Sequence, residues 1–187
     1  MTPPLGFDSS VLSAFARAKH LDTLQRLSDA HQRVVTRAVL DELARGSAEH
    51  PMLAEVGRLS WLAAVAVDSL DALVAFSHYV RALGSDSRNV GEASILAWAE
   101  VTPGIAVIDD QAAVTVAKAT GLTVRRSLSL VAGGLNSKVL DPHEARARWS
   151  TIWPRPAALA YPATALASWR GPSGTAWSAR DGVKRPP

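Results

Sequence analysis

The sequence predicts an α/β fold in which helices flank a mostly parallel sheet. Short apolar runs alternate along the chain with longer segments of helical periodicity, the pattern of repeated strand–helix units. Residues 105–108 are uniformly apolar, as expected for a strand buried on both faces of a parallel sheet. Gly46, Gly84 and Gly121 follow three of the helical segments, at positions where helices commonly end. These features predict a layered α/β domain.

In the first half of the chain, apolar runs predict strands at residues 5–7, 33–36 and 61–67. The last of these is short enough to be a buried helical turn instead. A helix is predicted after the first strand from the spacing of Val11, Leu12 and Phe15. Asp22 and Gln25 predict a capping box at the start of a second helix, and residues 37–45 predict a third.

In the second half, helical spacing predicts helices over residues 69–83, 89–101 and 111–120. The strand at 105–108 lies between the last two, and a short final strand is predicted at 123–125. Asp141, Pro142 and Glu144 combine an N-cap residue, a proline at the first helical position and a capping-box acid. They predict a last helix that ends near Ile152.

The chain changes character after residue 152, so we predict a domain over 1–152 and an irregular extension over 153–187. The extension contains six prolines and three tryptophans, with little helical or strand periodicity. Five of its residues are basic and one is acidic, which accounts for the formal net charge of +3 of the whole chain. We expect a poorly ordered tail, although Trp153, Trp169 and Trp177 could also stack on nucleic-acid bases.

Composition excludes several kinds of chemistry. The 187 residues include no cysteine, so disulfides, thiolate zinc sites and cysteine nucleophiles are absent. The five histidines form no HExxH pair, and no GxGxxG, GxxxxGK[ST] or GxSxG motif occurs. The start of the chain lacks the pattern of a signal peptide, and the longest apolar run, residues 62–67, is too short to cross a bilayer. We therefore expect a soluble cytoplasmic protein without a membrane partner.

Acidic residues stand at four separate places, each at a predicted strand end or in a helix amid apolar residues: Asp8, Glu42, Glu92, and the pair Asp109 and Asp110. Ligands of open parallel sheets gather at the carboxyl ends of the strands, so the fold can bring these acids together. Carboxylates at close range must be protonated or bind a hard cation. The pattern favours a Mg²⁺ or Mn²⁺ site.

Each acid also has a structural explanation. Asp8 and Asp110 can cap the helices that follow them, and Glu92 can complete a capping box with Asn89. Within the third helix, Glu42 lies at the edge of the apolar stripe, whereas Asp41 is expected to face solvent, so Glu42 is the better candidate. Arg37, Lys118, Arg125 and Arg126 are candidates for phosphate contacts, or ordinary solvated charges.

Five segments, in this order and spacing, resemble a PIN domain: GFDSSVLSAF, TRAVLDEL, NVGEASILAWA, GIAVIDDQAA and GLTVRRSLSL. The resemblance covers roughly residues 5–152. It is strongest to VapC-like toxins and to prokaryotic PIN proteins of unassigned role. Arg126 and Ser127 depart from the glycine and threonine that are commoner in the last motif, Gly133 and Gly134 weaken the helix beyond it, and the tail has no counterpart.

The resemblance implies a three-layer α/β/α sandwich that cleaves RNA with Mg²⁺ or Mn²⁺ and leaves 5′-phosphate and 3′-hydroxyl ends. It assigns catalysis to Asp8, Glu42, Glu92 and Asp110, and metal binding to Asp8, Glu92, Asp109 and Asp110. Ser9 or Ser10 could add a hydroxyl ligand. It also implies a homodimer held inactive by a cognate antitoxin protein.

Two other functions remain open at this stage. The first is a non-catalytic PIN-like module that binds RNA or a protein, which the complete acidic set disfavours. The second is a metal-dependent phosphohydrolase acting on small phosphoesters. That class usually places an acid two residues after its aspartate nucleophile, whereas Asp8 is followed by Ser9 and Ser10.

Overall fold

The computed structural model describes residues 2–84 and 89–153. The chain divides into two compact units, residues 1–127 and 128–187. The first unit contains the whole sheet and most of the helices. In the second unit, the description ends at residue 153, so the tail predicted over 153–187 lies almost entirely outside the described residues.

The first unit is built on a five-stranded sheet in which every neighbouring pair is parallel. Its strands are β1 (Leu5–Phe7), β2 (Arg33–Thr36), β3 (Ala63–Val65), β4 (Ile105–Val107) and β5 (Val124–Arg125). The spatial order is β3-β2-β1-β4-β5. The predicted α/β class with a parallel central sheet is therefore confirmed.

The helices of the first unit are α1 (Ser9–Arg17), α2 (Leu21–Leu27), α3 (Arg37–Gly46), α4 (Leu70–Leu83), α5 (Val90–Val101) and α6 (Gln111–Ala119). A 3₁₀ helix over Pro51–Arg58 was not predicted. Helix α7 (Ser127–Asn136) begins at the last residue of the first unit and contains Gly133 and Gly134. Helix α8 (Pro142–Ile152) lies in the second unit and ends where predicted. No helix among the described residues is both long and apolar enough to cross a membrane.

Local capping explains most helix boundaries. The Ser69 hydroxyl accepts a hydrogen bond from the Ala72 amide at the start of α4, and Gly84 ends that helix with a φ of 90° that favours glycine. The capping box predicted from Asp22 is wrong. Helix α2 has His20 at its N-cap, because the buried Leu21 and Leu24 place the first turn one residue before Asp22.

Helix α5 positions the candidate site. It packs against β1, β2 and β4, and its side chains Ala93, Ile95 and Leu96 are fully buried. Its N-terminal part lies at the carboxyl edge of the sheet, because Ser94 shares a hydrogen bond with Thr36, the last residue of β2. The strand order reverses between β1 and β4, and ligands of open α/β sheets bind at such a reversal, outside the carboxyl ends of the strands.

Candidate active site

Acidic residues lie on both sides of the strand-order reversal. Asp8 directly follows β1, while Asp109 and Asp110 follow β4 after one further residue. Phe7 and Val107 are register partners on these adjacent strands, so the acids leave the sheet side by side. Glu42 arrives on α3, the helix that follows β2, and Glu92 arrives in the first turn of α5.

Asp8 is fully buried, and its two carboxylate oxygens have different environments. Oδ2 accepts hydrogen bonds from the Ser10 amide at 3.0 Å and from the Ser10 hydroxyl at 2.5 Å, so Asp8 does cap α1. Oδ1 is buried and has no hydrogen-bond partner among the residues that the structure describes. Burial raises the pKa of Asp8 to about 6 despite the lowering effect of the Ser10 bonds, and the charge of Glu42 raises it slightly further.

Glu92 is half-buried, and its Oε2 likewise lacks a hydrogen-bond partner within residues 2–84 and 89–153. The capping box with Asn89 is not formed, since the Asn89 side chain accepts no hydrogen bond from the first turn of α5; its amide group donates to the Leu83 carbonyl at 2.7 Å. Burial is the main cause that raises the pKa of Glu92 to about 7, and the charges of Asp8, Glu42 and Asp110 add to it. Glu92 thus interacts electrostatically with three other candidate residues.

Glu42 connects α3 to the start of α5. Its Oε1 accepts a hydrogen bond from the Gly91 amide at 2.7 Å. A Cβ atom on Gly91 would lie 2.9 Å from that same oxygen, so only glycine allows the carboxylate this close to the backbone. Asp41 is exposed, as predicted, whereas Glu42 faces the other acids.

Asp109 and Asp110 follow the same strand but have different surroundings. Asp110 is exposed and caps α6, because its Oδ1 accepts from the Ala113 amide at 2.8 Å. Asp109 is buried and accepts from the Ser127 amide at 2.9 Å through Oδ1, and from the Ser127 hydroxyl through Oδ2. Both Asp109 oxygens therefore accept hydrogen bonds from Ser127, the residue at which α7 begins.

The four basic candidates are not equally close to the acids. Arg37 is exposed at the first position of α3, one and a half turns before Glu42. Arg125 is the register partner of Val107 on the neighbouring strand, and Arg126 donates a hydrogen bond to the Gln111 side chain. Lys118 lies in the last turn of α6, about 12 Å along the helix axis from its Asp110 end. The structure does not bring Lys118 to the acids.

The acidic cluster is chemically suited to a hard divalent cation. Such ions prefer carboxylate oxygens, and Asp8 and Glu92 each offer a buried oxygen that no group in the described part of the chain hydrogen-bonds. Within the described residues, however, no three histidine, aspartate or glutamate side chains already converge as a metal-binding group. The carboxylates interact through their charges without meeting at a single point.

Sequence reasoning missed two residues that organise this site. Gly91 provides the amide that fixes Glu42. Thr36, buried at the end of β2, shares a 2.6 Å hydrogen bond with Ser94 and caps α3. The signal for Thr36 was present, because it is a polar residue between an apolar strand and a helix, as Asp8 is.

A family model described as a PIN domain matches residues 6–147, a range that includes every acidic candidate. Comparisons with curated proteins and with solved structures find no match.

Proposed function

This chain belongs to the PIN-domain family, whose members are generally nucleases, and from this premise we propose that it is a metal-dependent endoribonuclease that hydrolyses RNA phosphodiester bonds. We further propose that it acts in the cytoplasm as the toxin of a type II toxin–antitoxin pair, as a homodimer held inactive by its antitoxin. The geometry of the acidic site supports the nuclease activity, and resemblance to VapC-like toxins supports the toxin role.

One observation supports the nuclease proposal above the others. Asp8 and Glu92 each keep a buried carboxylate oxygen without a partner, at the strand-order reversal where α/β proteins bind ligands. No arginine, lysine or histidine in the described ranges forms an ion pair with Asp8, Glu42 or Glu92. Burying a carboxylate without a compensating partner destabilises the fold. Proteins keep such groups mainly at binding and catalytic sites.

Asp8 and Glu92 are the residues that would hold Mg²⁺ or Mn²⁺, joined by the second oxygen of Asp110. When bound, such an ion polarises the phosphodiester and offsets the charge that develops on the leaving oxygen. Glu42, held by the Gly91 amide and electrostatically coupled to Asp8 and Glu92, would position the attacking water. Arg37, exposed at the start of α3, would contact RNA phosphate.

Asp109 contributes differently from the other acids in this proposal. Because both of its oxygens accept from Ser127, it would orient the end of β4 and leave direct cation contact to its neighbour Asp110. By family resemblance, water rather than the RNA 2′-hydroxyl would attack, and the products would carry 5′-phosphate and 3′-hydroxyl ends.

Cleavage of single-stranded RNA in Mn²⁺, in Mg²⁺ and in EDTA tests this proposal. We expect cleavage by the wild type with either cation and none in EDTA. Asp8→Asn and Glu92→Gln should each lower the rate at least a hundredfold, because each removes an anionic ligand at nearly unchanged shape. Asp41→Asn is the matched control, since Asp41 is exposed beside Glu42, and it should retain wild-type activity. Equal rates for Asp8→Asn and the wild type would refute the proposal.

A non-catalytic RNA-binding module is the second candidate. It is favoured by the observation that the described acids do not converge as a metal-binding group. The same experiment separates the two functions when RNA binding is measured alongside cleavage. RNA binding that is insensitive to EDTA, with no cleavage by the wild type, would establish the module instead.

The toxin proposal has its own test in living cells. Induced expression of the wild type should arrest bacterial growth, and Asp8→Asn at the same protein level should not. Harmless expression of a wild type that cleaves RNA in vitro would remove the toxin role and leave the nuclease.

A further inference from the structure

A cavity of about 280 Å³ adjoins the acidic site at the carboxyl ends of β2 and β3. Its walls come from the start of α3, the segment between β3 and α4, helix α4 itself and helix α5. The lining residues that matter here are Thr36, Arg37, Asp68, Leu73, Phe76 and Ser94.

The sheet register places this cavity one strand away from Asp8. Leu5 pairs with Arg33 and Gly6 with Val34, so continuing the register sets Thr36 opposite Asp8. Neighbouring strands lie about 4.8 Å apart. On the other side, Ser94 stands two residues beyond Glu92 on α5 and donates its hydroxyl to the Gly91 carbonyl. An RNA strand that passes over the acids therefore reaches the cavity directly.

The walls offer an apolar surface and two charged groups. Phe76 and Leu73 supply a face on which a base can stack, which is how proteins hold unpaired nucleotides. The Thr36 and Ser94 hydroxyls bond to each other and to backbone groups, so they contribute little to recognition. Arg37 and Asp68, both exposed, remain to contact a ligand.

The size and charge of the cavity favour a single nucleotide. Pockets for larger organic ligands usually span about 300–1,000 Å³, so this cavity suits one base. Arg37 can neutralise a phosphate at its rim. The Asp68 carboxylate accepts hydrogen bonds, and it can take two parallel bonds only from a base that presents two adjacent N–H donors. Guanine presents such a pair through its N1–H and its N2 amino group.

We propose that this cavity binds one unpaired nucleotide of the RNA substrate beside the cleaved phosphodiester and prefers guanine. The base lies against Phe76 and Leu73, Asp68 accepts from its Watson–Crick edge, and Arg37 contacts the phosphate. This assignment rests on the proposed RNA substrate and adds to it a base preference encoded outside the acidic cluster.

Binding of free nucleosides tests the cavity without cleavage and without a cation. Guanosine, adenosine, cytidine and uridine are titrated into the full-length protein in EDTA, and saturation-transfer NMR reports their affinities. We expect guanosine to bind most tightly. Phe76→Ala and Leu73→Ala should weaken the binding of all four nucleosides. For Phe76→Ala we expect about a tenfold loss of affinity, in line with ~1–3 kcal/mol for base stacking. Leu73 is 48% exposed, so its variant keeps the test valid if the Phe76 variant misfolds.

Asp68→Asn should selectively weaken guanosine, because an amide cannot accept two parallel N–H bonds. Two variants on the same helix are matched controls. Val74→Ala removes an apolar side chain that is 62% exposed, and Asp71→Asn an exposed acid in the first turn of α4. Neither residue lines the cavity, so both should retain wild-type affinities.

Mapping of cleavage sites then separates this inference from the proposed function. If the wild type cleaves RNA next to guanine and Asp68→Asn loses that preference, the result supports both the nuclease proposal and the guanine preference of the cavity. If the wild type cleaves RNA but no nucleoside binds and the cavity variants keep its cleavage pattern, the inference is wrong and the nuclease stands. If no RNA is cleaved but guanosine binds and Phe76→Ala abolishes binding, the cavity is a base-binding site and the nuclease proposal fails.

Discussion

Replacing Asp8 by asparagine is expected to stabilise the cation-free protein while abolishing its activity. Asp8 is fully buried with one unpaired oxygen, so its charge opposes folding. The amide of asparagine is neutral and keeps an acceptor oxygen for the two Ser10 hydrogen bonds. The variant therefore removes a buried charge at almost constant shape.

The expected size follows from the pKa of Asp8, which is raised from 3.8 to about 6 in the folded protein. The folded state binds this proton more tightly than the unfolded state does. The contribution of Asp8 to stability is therefore fully present below about pH 4 and is lost as the pH rises through about 6. The raised pKa of Asp8 corresponds to a loss of about 3 kcal/mol in the free energy of unfolding at pH 8. Glu92, with a pKa of about 7, extends this loss of stability toward neutral pH.

Urea unfolding in EDTA at pH 8 and pH 5 measures this effect. At pH 8, Asp8→Asn should raise the free energy of unfolding by about 1–3 kcal/mol, and at pH 5 by clearly less, because Asp8 is then largely protonated. Asp41→Asn, an exposed neighbour of Glu42, should change neither value. A destabilised Asp8→Asn protein at pH 8, or a gain equal at both pH values, would refute the reasoning.

Three further predictions concern two residues that contact the acids and the C-terminal tail. Gly91→Ala should weaken Mn²⁺ binding and RNA cleavage at least tenfold, because the added Cβ atom would displace Glu42. Circular dichroism should show an intact fold. Unchanged activity of this variant would contradict the role of Glu42. Ser127→Ala should lower the free energy of unfolding by about 1–3 kcal/mol, since Asp109 loses a buried hydrogen bond, yet leave calorimetric Mn²⁺ affinity unchanged. Lost Mn²⁺ affinity in that variant would instead place Asp109 among the ligands. Truncation after Ile152 should preserve folding and Mn²⁺ binding but weaken RNA binding and flatten its salt dependence, because five basic residues are removed with one acid; aggregation of the shortened chain would show that the boundary is wrong.

The sequence predicts those parts of the fold that depend on neighbouring residues. The strands at 5–7 and 33–36 match the structure because each is a compact apolar run followed at once by a polar helix cap. The expectation that Asp41 faces solvent while Glu42 lies at the edge of the apolar stripe also matches the structure, since helical periodicity alone separates a half-buried face from an exposed one. At these positions, the burial that the local sequence pattern predicts agrees with the burial that the structure shows.

Features that depend on distant partners could not be predicted. Glu42 is fixed by the amide of Gly91, 49 residues away, and Asp109 by Ser127, 18 residues away. Asp109 and Asp110 are both predicted metal ligands after one strand, and the sequence does not indicate that Asp109 is buried against Ser127 whereas Asp110 is exposed. Helix α2 begins at Leu21 because of tertiary burial, which overrode the capping box predicted from Asp22.

The cavity beside the acids was also beyond sequence reasoning. Its residues come from four segments between Thr36 and Ser94, and no motif joins them. In the sequence, Leu73 and Phe76 recur at helical spacing with Leu70 and Val80, which is typical of the apolar face of a helix. The structure shows that Leu73 remains 48% exposed, so helical periodicity alone overestimated how much of that helix is buried.

Calorimetric titration of Mn²⁺ into the wild type, Asp8→Asn, Glu92→Gln and Asp41→Asn tests most directly whether the carboxylates form one cation site. We expect the wild type and Asp41→Asn to bind alike, and the other two variants to bind at least tenfold more weakly. Binding at pH 6 should release more protons than at pH 8, because Asp8 and Glu92 have pKa values of about 6 and about 7. Absence of binding to the wild type at millimolar Mn²⁺, or equal binding by Asp8→Asn, would contradict the account.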